Sequence, residues 1–122
     1  MLLDPNLVLF YVRNIEASTN FYSELLNTNP IHTESNYVMF LLKSGLRLGL
    51  WSQTIAEPKP TMLGGGSELA FLVDTELAID KLFVDYQNKD FLIIQPPTHM
   101  DFGYTFVTCD PDAHRIRFFS KK

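Results

Sequence analysis

Tyr104-Thr105-Phe106-Val107-Thr108-Cys109-Asp110-Pro111-Asp112-Ala113-His114-Arg115-Ile116-Arg117-Phe118-Phe119-Ser120 reads as strand, turn, strand. Asp110-Pro111-Asp112 supplies the turn. The aspartate can bond the backbone ahead of it, and the proline sets φ at the next corner. The strand that follows alternates: Arg115, Arg117 and Phe119 share one face, Ile116 and Phe118 the other. Arg117 is therefore either solvated sheet surface or part of a pocket floor, and the rest of the chain must decide which.

Working outward, the same order of elements occurs twice. Leu7–Val12 is short and apolar on both faces, which predicts a buried strand. Asn14 is a fair cap for a helix from Ile15 to about Asn27, with Ile15, Ser18, Tyr22 and Leu25 on one face. Residues 30–36 form a weak, polar edge strand, 37–43 a strong one, and 46–52 another after the Ser44-Gly45 turn. In the second half, 68–73 is a strand and Asp74 or Thr75 caps a helix to about Asn88. Its apolar face is Ile79, Leu82, Phe83 and Tyr86. A strand over 91–95 is expected to break at Pro96-Pro97, and 98–103 to form a loop before the closing hairpin. Leu7–Val12 aligns with Glu68–Val73. Arg47-Leu48-Gly49-Leu50-Trp51-Ser52 aligns with Arg115-Ile116-Arg117-Phe118-Phe119-Ser120. The chain thus reads as a tandem βαβββ repeat of α+β class.

Residues 1–122 make one domain by length, with one module over about 5–52, a linker over 53–66 and a second module over about 67–120. The linker carries Pro58, Pro60 and Gly64-Gly65-Gly66; no Lys-Ser/Thr follows the glycines, so they do not make a phosphate loop. The net charge of −4 argues against nucleic acid as a partner. No apolar run approaches the ~20 residues of a membrane span. The single cysteine, Cys109, suits a reducing cytoplasm and reads as a packed strand-end residue. The 10 Phe, 5 Tyr and 1 Trp fit a large core or an aromatic-lined cavity.

The repeat resembles the vicinal-oxygen-chelate (glyoxalase/bleomycin resistance/dioxygenase) superfamily. Val12-Arg13-Asn14-Ile15-Glu16-Ala17-Ser18-Thr19-Asn20-Phe21-Tyr22 looks like that family's entry into its first helix. Asp110-Pro111-Asp112-Ala113-His114-Arg115-Ile116-Arg117 looks like its Asp-Pro-Asp-Gly hairpin, with Ala113 in place of the glycine. Asn6-Leu7, Tyr37-Val38-x-Phe40, Trp51-Ser52 and Phe102-Gly103-x-Thr105-Phe106 are similar to its phenazine-antibiotic resistance branch. The resemblance implies modules whose sheets curl into cups around one cavity, and chains that commonly form homodimers.

It also implies a metal test. Enzymes of the superfamily hold a divalent ion with His, Glu or Gln at positions that correspond here to Leu7, Gly49, Glu68 and Arg117. Two of these carry no donor and one is a permanent cation, so no metal or other cofactor is expected. His32, His99 and His114 are each expected to be structural or surface residues rather than ligands. Glu68 and Arg117 would then form a neutral salt bridge, offer Arg117 to a ligand carboxylate, or lie solvated. Strand alternation places Leu7, Leu9, Tyr11, Ala70, Leu72, Trp51 and Phe119 on the cavity side, opposite Leu69, Phe71, Ile116 and Phe118. Trp51 is a stacking platform or a core tryptophan. His99, Met100 and Phe102 are placed at the rim. The expected function is non-catalytic binding of a small aromatic or amphipathic molecule through Trp51, Arg117, Glu68, Tyr11, Leu9, Phe119, His99 and Phe102. The alternatives are a glyoxalase- or dioxygenase-like lyase or other enzyme of the superfamily: one working without the metal site, with Glu68 as base or Tyr11 or His99 as acid, or one whose metal ligands align differently.

Overall fold

The computed structural model describes residues 1–122 and divides into two compact units, Met1–Gly64 and Gly65–Lys122. The first contains β1 (Leu7–Val12), α1 (Ile15–Leu26), β2 (His32–Thr33), β3 (Tyr37–Leu41) and β4 (Arg47–Ser52). The second contains β5 (Glu68–Leu72), α2 (Glu76–Asn88), β6 (Ile93–Met100), β7 (Gly103–Cys109) and β8 (Arg115–Lys121). Each unit is one helix on a four-stranded mixed sheet, in the orders β1-β4-β3-β2 and β5-β8-β7-β6. The parallel pairs are β1 with β4, Leu7 opposite Arg47, and β5 with β8, Glu68 opposite Arg115. The two sequence alignments that defined the repeat are thus joined by the same register in both units.

In the first unit the Asn14 side chain accepts the Ala17 N–H at 2.9 Å, and Asn27 ends α1 in the left-handed region at φ 53°. Ser18, Tyr22 and Leu25 are its buried face. Tyr22 packs on Phe10 and Phe40, with ring centroids 6.2 and 6.4 Å away. Val12, Val38, Leu48 and Leu50 complete this core. The reading of β1 as buried on both faces is corrected: Phe10 and Val12 are buried, but Leu7 and Leu9 are 38% and 39% exposed. The helix covers only one face of the sheet, and an apolar run does not reveal that the other is open.

In the second unit Thr75 is the cap, accepting Ala78 N–H at 3.1 Å. Ile79 and Tyr86 anchor α2. Tyr86 lies 5.3 Å from Phe118 and 6.0 Å from Phe106, and Phe118 stacks between Phe106 and Phe71 at 5.2 and 4.9 Å. Burying each such side chain contributes about 1.5–3 kcal/mol.

The break expected at Pro96-Pro97 does not occur. β6 runs through both prolines to Met100, with register shifts between Ile93 and Gln95 and between Gln95 and Thr98. An edge strand has one free side, and a bulge removes residues from the ladder, so the missing N–H groups cost no paired bond. The predicted loop over 98–103 shrinks to the turn at Asp101-Phe102.

The closing hairpin forms as read. Asp110 Oδ1 accepts the N–H groups of Asp112 (2.8 Å) and His114 (2.9 Å), and Asp110 Oδ2 bonds His114 Nδ1 at 2.8 Å. His114 is a buried structural residue. Ala113 takes φ +68°, the left-handed conformation that a glycine would enter without strain.

Candidate functional site

The face of the first sheet opposite α1 is laid out by strand register. Tyr11, Trp51 and Tyr37 stand opposite one another across β1, β4 and β3. Glu34 extends this row, its N–H donating to the Tyr37 carbonyl at 2.8 Å. The next row is Leu9, Gly49, Met39 and His32, and the third is Leu7, Arg47 and Leu41. With strands about 4.8 Å apart, the first row is an aromatic shelf ended by a carboxylate.

Gly49 is the low point of this face. A Cβ built there would lie 2.7 Å from Leu9 Cδ2 and 2.8 Å from the Tyr37 hydroxyl oxygen. Two side chains occupy the space a metal-ligating residue would need. Beside them Leu7, Leu9, Glu34, Tyr37 and Trp51 line an open groove of about 330 Å³. Tyr11 and Trp51 lie 6.3 Å apart at 34°, and both are half-buried rather than sealed in the core.

The corresponding face of the second sheet is polar. Arg117 Nε donates to Glu68 Oε1 at 2.7 Å and Nη2 donates to Glu68 Oε2 at 3.1 Å. Nη1 donates to Gln95 Oε1 and Thr105 Oγ1, both at 3.2 Å. The side chains of Arg117 and Glu68 are 17% and 28% exposed. Arg115 Nε lies 3.3 Å from Glu68 Oε2 without hydrogen-bond alignment. The bonds from Arg117 hold the Glu68 carboxyl below the usual carboxylate range, outweighing burial, and the charges of Arg117 and Arg115 add to the effect. The Arg117 guanidinium also lies over the Phe102 ring at 5.7 Å, and Phe102 meets Phe119 edge-on at 6.0 Å.

Among the residues singled out from sequence, Leu9, Tyr11 and Trp51 share the first sheet's open face, with Leu7 beside them. Glu68, Arg117, Phe102 and Phe119 come together on the second. His99 does not join them. It is paired with Tyr104, stacks on that ring at 4.4 Å, and lies 3.9 Å from Glu76 of α2. The Tyr104 hydroxyl donates to Asp80 at 2.7 Å, which pushes its pKa up. His99 therefore stands on the helix side of its sheet. The sequence reading missed Glu34, Tyr37, Gln95 and Thr105. Cross-strand register would have found the first two. Gln95 depends on the bulged register of β6, and Thr105 on the regular pairing of β7 with β8.

The residues at the superfamily's metal positions do not fit an ion. Leu7 and Gly49 present no donor, Glu68 spends both oxygens on Arg117, and Arg117 is a fixed cation. Nowhere do three or more His, Cys, Asp or Glu side chains converge. Cys109 is buried, and burial pushes its thiol pKa up, away from nucleophilic use.

Residues 5–118 match the model of the Glyoxalase/Bleomycin resistance protein/Dioxygenase superfamily. The chain belongs to this superfamily. It is 32% identical over 118 residues to the phenazine antibiotic resistance protein EhpR of Enterobacter agglomerans, covering 94% of this chain and 90% of that protein. Among solved structures it is similar to protein ATC0852 of Agrobacterium tumefaciens, at 39% identity, TM-score 0.90 and 99% coverage of both chains. A glyoxalase-related enzyme from Fulvimarina pelagi shares the fold at TM-score 0.86 and 20% identity, over 98% of this chain and 89% of that one. The superfamily's description itself spans glyoxalases, bleomycin resistance proteins and dioxygenases. No helix of this member is long and apolar enough to cross a membrane.

Proposed function

We propose that the protein binds a small planar aromatic molecule and holds it without turnover, as a sequestering, resistance-type member of its superfamily. The observation that carries this reading is the set of residues at the metal positions: Leu7, the glycine closed over by Leu9 and Tyr37, and a salt bridge whose two members satisfy each other. An ion-dependent reaction would need three protein donors where these residues offer at most one. Metal-free base catalysis is also disfavoured, because Glu68 is held ionised by Arg117 and is a weakened proton acceptor. The first sheet's groove offers aromatic and aliphatic side chains with few polar groups, the composition of a site for a flat apolar ligand. Similarity to a protein named for phenazine antibiotic resistance favours a fused heteroaromatic.

The test is to incubate purified protein with phenazine, with and without added divalent ions. Metal content, binding by calorimetry and the chemical identity of recovered phenazine are then measured. Saturable binding of unchanged phenazine to metal-free protein is expected. A stoichiometric divalent ion, or conversion of phenazine, would overturn the reading.

A further inference from the structure

Resting on the groove reading above, we infer that the groove selects aromatic ligands carrying a positive charge, with Glu34 as the residue that confers the preference. The row Tyr11, Trp51, Tyr37 ends on Glu34, the one charged residue among those lining the groove. A ring lying along this row meets aromatic faces, which attract cations through the ring quadrupole, and then a carboxylate. Both features favour a cationic ligand and disfavour an anionic one. Two basic residues share this sheet face, and neither cancels the preference. Arg47 shares the face but stands four residues along β4 from Trp51, about 13 Å at strand rise, and lies outside the groove lining. His32 bonds the carboxylate, Nε2 to Glu34 Oε2 at 2.8 Å. A neutral imidazole donating that bond leaves the negative charge in place and fixes the carboxylate's position. The inference also displaces the idea that Arg117 recruits an acid-bearing ligand, since all three of its nitrogens donate to protein oxygens.

Glu34 is well exposed, its side chain at 65%, so the preference is screened and modest. About a three- to tenfold tighter binding of a cation than of its neutral parent follows from exposed cation–π and ion-pair strengths. The experiment uses three probes of one shape: phenazine, N-methylphenazinium and phenazine-1-carboxylate. Each is titrated at pH 8, at low and high salt, with wild type, Glu34→Gln and Arg117→Gln. The expected order is cation, neutral, anion, with the gap narrowing in high salt. Glu34→Gln should bring the cation-to-neutral affinity ratio close to one, and Arg117→Gln should not alter the order. If neutral phenazine binds but the cation shows no advantage, or the advantage survives Glu34→Gln, this inference fails and the groove reading stands. If none of the three binds, both fail.

Discussion

The two units share a strand order and a register but put opposite chemistry on the sheet face that carries no helix. The first unit has an aromatic row, a bare glycine and an open groove. The second has two guanidinium groups around one carboxylate, with Gln95 and Thr105 accepting from Nη1 of Arg117. The comparison teaches that the duplicated fold is held by the helix-facing half of each strand: Phe10, Val12, Leu48 and Leu50 in one unit, Phe106, Ile116 and Phe118 in the other. The opposite half is free to change, and here the two copies have diverged.

Gly103 of the second unit gives the largest expected effect. Gly103, at φ +147°, starts β7, and a Cβ there would lie 1.9 Å from the Ser120 carbonyl oxygen. The obstacle is backbone and cannot turn aside. Gly103→Ala should lose at least about 3 kcal/mol in chemical denaturation, or fail to fold. A loss under about 1 kcal/mol would show that the β7–β8 pairing is softer than its register implies.

Next in size is the salt bridge. Arg117→Ala leaves Glu68, Gln95 and Thr105 without their shared donor in a partly exposed setting. About 2 kcal/mol is expected, between the surface and buried extremes. The pH dependence has a defined sign. The folded-state pKa of Glu68 is lowered from 4.5, so its contribution is full above that value and is lost as pH falls through the lower folded value. Acid titration of stability in wild type and Glu68→Gln should converge below that window and separate above it. Parallel curves would mean that Glu68 is not held by Arg117 in solution.

Smaller still is the hairpin. Ala113 sits at φ +68°, so Ala113→Gly should raise stability by about 0.5–1 kcal/mol, read as a higher midpoint at unchanged slope. A loss would show that the turn tolerates alanine without strain. Smallest in stability is Gly49→Ala. The nearest atoms to its added Cβ are Leu9 Cδ2 and the Tyr37 hydroxyl and ring edge, side-chain rather than backbone atoms that can shift, so a change within about 1 kcal/mol is expected.

The sequence carried the repeat, the α+β class, the Asn14 cap and, to within one residue, the second cap, because periodicity, capping side chains and the Asp110 turn are local signals. It also carried the face assignment of Arg117, which needs only alternation within one strand. Other features depend on pairing. That Leu7 and Leu9 are half exposed follows from which face the helix leaves open. That β6 passes through Pro96-Pro97 follows from its place at an edge and from its bulges. Glu34 and Tyr37 join Trp51 only through cross-strand register, and Gln95 reaches Arg117 only after the register shifts. His99, placed by proximity in sequence at the rim, is carried to the helix side by the length of that same strand. Local chemistry was legible, while neighbours brought in from other strands were not.

The most direct test uses Trp51, the sole tryptophan of the chain, as a reporter in the groove. Phenazine is titrated against metal-free wild type and Gly49→Ala while Trp51 emission is followed. The account predicts saturable quenching in wild type and binding weakened about tenfold or more in Gly49→Ala at near-unchanged stability, because displaced Leu9 and Tyr37 intrude on the ligand's space. Absence of quenching in wild type, or equal affinity in the two proteins, would contradict it.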